Sequence, residues 1–391
     1  MRILTLATLF PNAARPNFGI FVERQTATLA ARDDVEITVI SPQALPPWPL
    51  SRHPRYRTLA KLPFHETWRG LDVYRPQFPH LPGLGNHLQP KLMVRAIWPL
   101  IERLHRARPF DLIDAEFFYP DGPAARELAR RLGIPYSVKA RGADIHHWGS
   151  DPKTREQVLR AGLDAAGLLA VSAAMKSDMV ALGMAEEKIT VHYTGCDQQR
   201  FAPRADDGLR AELGIAGPML ITVGALIARK RQDLVIEALP ALPDATLVLA
   251  GSGEQESQYR ALAQKLGVEA RVIFAGALPH DDLPRWLGAA DIMILPSKSE
   301  GLANAWVEAL ACGTPIIISD AGGAGELLTD PVAGRIVQPT PEALATAIGE
   351  LLALAPDRER VRSAVANFTW NRNADELRRH FSRLLSFQRR S

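Results

Sequence analysis

A chain of 391 residues exceeds one ordinary domain and predicts two. Hydrophobic residues at 47% and charged residues at 23% exclude a disordered chain and fit a soluble protein with sizeable cores, while a net charge of +3 argues neither for nor against nucleic acid. The two cysteines, Cys196 and Cys312, exclude a disulfide framework and a cysteine zinc set, and fit a reducing, cytoplasmic compartment.

The N-terminal run MRILTLATLF meets Pro11 and Asn12 after too few residues for a membrane span and has no signal-cleavage pattern. It reads as a first buried strand, Arg2 to Thr8, followed by a loop and a helix from about Ile20 to Arg32. Gly19 opens that helix, which allows a backbone to approach a ligand closely or simply makes a turn. Val35 to Ile40 is a second strand, after which regularity lapses over residues 42–110. Within that region Arg52, Arg55, Arg57, Lys61 and Arg69 face the single acid Glu66 and interleave with Tyr56, Leu59, Leu62, Phe64 and Trp68. This composition suits either a solvated basic loop or contact with an anionic membrane surface or a lipid-linked acceptor. Stacking on single-stranded nucleic acid uses the same residue types, but no nucleic-acid motif accompanies them.

Strand and helix then alternate. DLIDA is a strand, and PYSVKA, Pro135 to Ala140, is another, with Arg141, Gly142, Asp144 and His146 at its carboxyl end, where open α/β sheets bind ligands. His146 and His147 are adjacent and have no third ligand at a metal-motif spacing. Gly167 to Val171 and Ile189 to His192 complete the strands of the first half, and a polar turn with the F-x-P of Phe201 to Pro203 marks the boundary. The expected division is 1–203, 204–370 and a terminal helix over 371–391.

The second half is a regular βα repetition with strand-like runs at Met219 to Val223, Thr246 to Ala250, Arg271 to Phe274, Asp291 to Leu295, Pro315 to Ser319 and Arg335 to Val337. In VGALIARKRQDL, Lys230 ends the loop between a strand and a helix, and a lysine there neutralises a diphosphate without a metal. Cations at a helix start oppose its dipole, so Arg229, Lys230 and Arg231 together call for an anion. LAGSGEQES begins like a dinucleotide fingerprint at Gly251 and Gly253 but has Glu256 where the third glycine belongs, which disfavours NAD and still permits close approach to a nucleoside. Residues 291–326 form a further βα unit: an apolar strand, a loop with Glu300, a helix from Ala303 to Ala311 stopped at Gly313, a strand, and the GGAG turn, whose successive amides suit a phosphate. At about 100° per residue a continuous helix would place Glu300 and Glu308 about 80° apart, so Glu300 belongs to the loop and Glu308 one turn inside the helix. Free amides around Ala303, Asn304 and Ala305 favour a phosphate, and two acids beside it suit sugar or ribose hydroxyls. The combination describes a nucleotide sugar.

Glu300 and Glu308 in this setting resemble the E-x7-E motif of retaining glycosyltransferases of the GT-B fold, in particular glycosyltransferase family 4. The resemblance implies two Rossmann-like domains facing across a cleft, with the acceptor on the first and the donor on the second, and a C-terminal helix over 371–391 that packs back on the first domain. It implies that Glu300 lies near the transferred sugar, that Glu308 binds the donor ribose, that Lys230 meets the diphosphate and that the backbone at Leu278 contacts the base. Gly19 matches a ligand-facing glycine, and Arg141 and Asp144 match positions on the donor-sugar or acceptor side. An arginine usual in the family is replaced by Ala225, so Arg229 or Arg231 has to compensate, or the diphosphate is held more by amides. The implied activity is metal-independent transfer from a nucleoside diphosphate sugar, UDP or GDP foremost, to a sugar or lipid-linked glycan, in bacterial cell-surface or exopolysaccharide assembly, with the protein cytoplasmic or peripheral at the inner membrane face. A sugar-nucleotide epimerase of the same architecture and a non-catalytic two-lobed binding protein are the alternatives.

Overall fold

The computed structural model describes residues 1–80, 85–204 and 207–388, apart from the side chains of residues 55, 387 and 388. The chain divides into two compact units, Met1–Gly195 with Trp370–Ser391, and Cys196–Thr369.

The first unit is built on an eight-stranded sheet in the order Ile189–Val191, Gly167–Ala170, Tyr136–Ala140, Leu112–Ala115, Arg2–Leu6, Glu36–Ile40, Leu71–Tyr74, His65–Trp68. All neighbours are parallel except the last pair, which is an antiparallel hairpin. Three neighbouring strands, Gly167–Ala170, Tyr136–Ala140 and Leu112–Ala115, are buried along their whole length, the signature of a parallel sheet covered on both faces. The order reverses beside Arg2–Leu6, so the loops after that strand and after Leu112–Ala115 part at a switch point.

The second unit has a six-stranded parallel sheet in the order Val272–Gly276, Thr246–Ala250, Met219–Val223, Ile292–Leu295, Ile316–Ser319, Gly334–Val337. Its own switch point lies between Met219–Val223 and Ile292–Leu295, whose following loops carry Lys230 and Glu300. Its core brings Leu220, Leu249, Ile292 and Ile317 of the sheet against Val235 and Ile348 of the helices.

Two expectations are corrected. The division falls at residues 195/196, before the expected 203, because Cys196 donates its amide to the Phe368 carbonyl and pairs with Thr369, while Phe201 is buried against the His280 ring of the second unit. The terminal helix, Trp370–Gln388, is no part of this correction: it lies in the first unit, on the domain it is expected to pack against, where Ala374, Leu377 and Phe381 join Val22 and Leu29 in the core. The second correction concerns residues 42–80 and 85–110, which are structured. Gln43–Leu45 pairs with Gln77–Pro79, and His65–Trp68 joins Leu71–Tyr74 through Arg69 and Gly70, both at positive φ as a tight hairpin turn requires. A helix spans Gln89–Ala107, with Met93, Val94, Ile97, Leu100 and Ile101 turned inward and Pro99 on the exposed side. The basic segment divides in the same way. Trp68 donates to Glu23 at 3.1 Å, and Glu66 pairs with the buried Arg75 rather than with the segment's own cations, whereas Arg52, Arg57, Lys61 and Phe64 are exposed. The side chain of Arg55 lies outside the described residues.

Candidate functional site

In the second unit, the strand Met219–Val223 ends at Gly224, and the chain then makes a short turn, Ala228–Lys230, before the helix Gln232–Ala238. Arg231, at φ 55°, occupies the left-handed region that a non-glycine residue enters at some cost in strain, and this reversal leaves Lys230 pointing back over the loop. The neighbouring loop is tied on by the Lys298 amide, which donates to the Arg229 carbonyl at 2.8 Å, and by the Arg229 guanidinium, which donates to the Ser299 carbonyl. Together they bring Lys230 Nζ to 2.5 Å and Arg229 Nη1 to 3.3 Å from Glu300 Oε1. Glu300 is only 8% exposed. Burial alone would raise its carboxyl, but the Lys230 and Arg229 charges outweigh it and hold the group below the usual glutamate range. Of the two cations offered as substitutes for the arginine missing at Ala225, Arg229 reaches the site, while Arg231 pairs with Asp233 at 3.4 Å.

The helix Asn304–Ala311 begins directly beyond Glu300. Ala303 precedes it with no side-chain cap, Asn304 is its first residue, and the amides of Ala303, Asn304 and Ala305 donate to no other described residue. These are the donors that a helix N-terminus leaves for an anion. Glu308, one turn further, has its Oε1 at 2.8 Å from His280 Nε2, and the His280 ring lies 5.3 Å from that of Phe201. Leu278, half-buried, leads into His280 along the loop after Val272–Gly276. Cys312, at the opposite, C-terminal end of that helix, is buried, and burial pushes its thiol up to about 12, far from nucleophilic reactivity.

Three glycine expectations change. A Cβ on Gly251 would stand 1.9 Å from the Gly224 carbonyl oxygen and one on Gly253 2.2 Å from that of Leu226, so these glycines let two loops pack together. In the GGAG turn, Gly322 faces the Glu300 and Gly301 carbonyls at 2.3 and 2.4 Å from its missing Cβ, and the Gly323 amide donates to Gly301 at 2.8 Å. That turn therefore supports the Glu300 loop, with at least one amide committed to it. Gly19, at φ 74°, is buried with the Leu9 carbonyl 2.5 Å from its missing Cβ, which fixes the entry of the first helix.

In the first unit, Arg141 and Asp144 follow Tyr136–Ala140 but take different parts. Arg141 donates through Nε to the Glu116 carbonyl at 2.8 Å, pairs through Nη2 with the Glu116 carboxylate, and stacks 4.7 Å from the Phe21 ring centre. Asp144 is fully buried and accepts amide bonds from Arg141, Gly142 and Phe118 at 2.8 to 3.1 Å. Burial raises its carboxyl while those amide bonds oppose the shift. The expectation that Asp144 meets a ligand is corrected: its oxygens are occupied in ordering the loop that carries Arg141. His146 pairs with Asp178 at 2.8 Å. Sequence reasoning missed Glu116 and His280, since a single acid after a strand and a histidine in a turn carry no motif; only the fold places them on Arg141 and Glu308.

Residues 209–368 match the family "Glycosyl transferases group 1" and residues 19–195 the family "Glycosyl transferase 4-like domain". The chain belongs to the group 1, family 4-type glycosyltransferases. A GDP-mannose-dependent alpha-(1-6)-phosphatidylinositol monomannoside mannosyltransferase of Mycolicibacterium smegmatis is 32% identical over 58% of this chain and 63% of its own length. A Bacillus subtilis glycosyltransferase named for teichuronic acid biosynthesis is 29% identical over 89% of this chain and 88% of its own. The chain thus spans less than two thirds of the first relative and most of the second. Among solved structures, sucrose-phosphate synthase from Thermosynechococcus elongatus is similar with a TM-score of 0.80 at 20% identity, covering 98% of this chain and 99% of that one. Anabaena Alr3699/HepE, solved in complex with UDP, has a TM-score of 0.75 at 22% identity, covering 98% and 100%. At such identities the likeness establishes the GT-B type of fold: two α/β domains with parallel sheets. This glycosyltransferase has no helix among its described residues that is long and apolar enough to cross a membrane.

Proposed function

We propose that the enzyme transfers a sugar, with retention at the anomeric carbon, from a nucleoside diphosphate sugar held by the second unit to an acceptor hydroxyl held by the first. The observation that carries the reading is the meeting of Lys230 and Glu300 at 2.5 Å beside the open amides of the helix Asn304–Ala311. In this reading the amides of Ala303 to Ala305, Lys230 and Arg229 bind the diphosphate in place of a metal, Glu308 accepts from ribose hydroxyls, the backbone at Leu278 meets the base, and Glu300 lies along the transferred sugar. As the bond from the anomeric carbon to the phosphate oxygen breaks, its electron pair leaves with the diphosphate. Lys230 and the fixed amide dipoles stabilise that charge without reorganising. The acceptor oxygen bonds to the anomeric carbon on the same face, and its proton passes to a phosphate oxygen. Arg141 contacts the acceptor or donor sugar, and Asp144 positions it.

The relatives' names support UDP or GDP as the base-bearing group and a glycan or lipid-linked acceptor in bacterial surface-glycan assembly. Trp48 at 72% exposure, with Leu50, Phe64, Arg52, Arg57 and Lys61 also exposed, supports peripheral contact with the inner face of the cytoplasmic membrane. Calorimetric titration with UDP, GDP, ADP and TDP tests the reading: one of them binds, and flat traces from all four with folded protein refute it. Incubation with UDP- and GDP-sugars, with and without acceptor glycans, separates transfer from epimerisation.

A further inference from the structure

Beneath the loop that carries Arg141, the first unit buries an unbroken series of polar side chains. His192 Nε2 lies 2.8 Å from the Asn373 carbonyl of the terminal helix, and His192 Nδ1 lies 2.7 Å from Lys139 Nζ. Lys139 Nζ donates to Gln25 Oε1 at 2.6 Å, Gln25 Nε2 donates to one Glu116 carboxylate oxygen, and the other oxygen takes Arg141. Lys139, Gln25, His192 and Glu116 are all essentially buried.

The series has one direction. A carbonyl only accepts, so His192 must carry its proton on Nε2 and offer the bare Nδ1 lone pair to Lys139. Lys139 therefore donates at both contacts, which fixes the Gln25 amide with its oxygen toward Lys139 and its NH2 toward Glu116. Glu116 is left as acceptor on both sides, aimed at the guanidinium. No member can be turned over without leaving a buried polar atom unpaired, a loss of about 1 to 3 kcal/mol. Burial, then the Lys139 charge, holds the His192 imidazole well below its ordinary range, in keeping with the neutral ring the series needs. Lys139 itself is brought down to about 7 by burial and by Arg141, against the opposing pull of Glu116, Asp114 and Glu376. His192 faces Lys139, Arg141 and His380.

We infer that the terminal helix sets the orientation of the Arg141 guanidinium through this series, with His192, Lys139, Gln25 and Glu116 as positioning residues. The seating of Trp370–Gln388 and the presentation of Arg141 are then one event. The value of this to catalysis rests on the proposed glycosyl transfer; the positioning itself does not.

The test is the rate at which phenylglyoxal modifies Arg141 in the full chain, mapped by peptide mass spectrometry, with the buried, Glu66-paired Arg75 as internal control. Gln25→Leu severs the series near its middle at similar volume. Arg141 modification is expected to rise about tenfold, the effect of one lost hydrogen bond to a charged group, with Arg75 unchanged. An unchanged Arg141, or an equal rise at Arg75 from general loosening, overturns the inference. Should Gln25→Leu fail to fold, nitrogen-15 NMR of the histidines in the unsubstituted protein at pH 7.5 decides: a neutral His192 protonated on Nε2 supports the series, and the Nδ1-H form or an imidazolium overturns it. Turnover of a UDP- or GDP-sugar by Gln25→Leu is expected to show a lower kcat at unchanged KM. Absence of turnover in the unsubstituted protein counts against the transfer reading and leaves the modification result to judge the series.

Discussion

Replacing Lys230 by methionine removes the nearest counter-charge of a nearly buried carboxylate and keeps most of the side-chain volume. Breaking a buried ion pair by deleting one partner costs roughly 3 to 5 kcal/mol, because the surviving charge stays desolvated. Two features reduce that figure here. Arg229 remains at 3.3 Å from Glu300, and its side chain is 39% exposed, so it returns on the order of 1 kcal/mol. The net loss is then about 2 to 4 kcal/mol, which for a unit of roughly 170 residues lowers Tm by about 5 to 12 °C. The pH dependence has a definite sign. Glu300 titrates below its ordinary value of 4.5 in the folded protein, so the pair's stabilisation is present above that value and fades as pH falls through the lower folded one. Differential scanning calorimetry of Lys230→Met and the parent should show a gap at pH 7 that narrows toward pH 4. Adding Glu300→Gln to Lys230→Met should recover most of the loss, since a neutral amide needs no counter-charge. Equal Tm values at pH 7, or a double variant no more stable than Lys230→Met, would refute the reasoning.

The remaining expectations concern ligand, loop and surface. Glu308→Ala removes the acceptors proposed for the ribose hydroxyls and should weaken UDP or GDP binding by about ten- to a hundredfold in calorimetry, the range for hydrogen bonds to a charged group. Glu300→Ala should act mainly on turnover, read as kcat at an unchanged KM for the donor. Gly251→Ala puts a methyl where the Gly224 carbonyl oxygen is 1.9 Å away, so the two loops must separate; a fall in Tm together with weaker nucleotide binding is expected, and a neutral variant would show that the loops yield freely. Trp48→Ala should reduce sedimentation with vesicles containing phosphatidylglycerol while leaving phosphatidylcholine binding negligible, and raised salt should weaken the parent's binding.

The loop and helix around Glu300 were legible because their signals are local. An apolar strand, a loop acid and a helix start announce themselves within thirty residues, and the βα repetition fixes which ends of the strands their loops leave. Residues 42–110 were opaque for physical reasons. Their strands are three or four residues long, too short for periodicity, and Pro99 masks a helix that tolerates it on the exposed side. Glycines misled in a different way. At Gly251 and Gly322 a missing side chain answers to neighbouring backbone, and sequence does not distinguish that from approach to a ligand. Asp144 was placed at the right loop and given the wrong task, since only the fold reveals that three amides already surround it.

The discontinuity of the first unit bears on how the molecule is made. On the ribosome, residues 1–195 emerge well before Ala374, Leu377 and Phe381, so the sheet waits with part of its interior uncovered while the intervening unit is synthesised. At about 5 to 20 residues per second that interval lasts on the order of ten to thirty seconds. The second unit, continuous in the chain, has by then all it needs to fold. The nascent first unit is the species a chaperone would meet, and completing it falls to a segment translated only after the second unit.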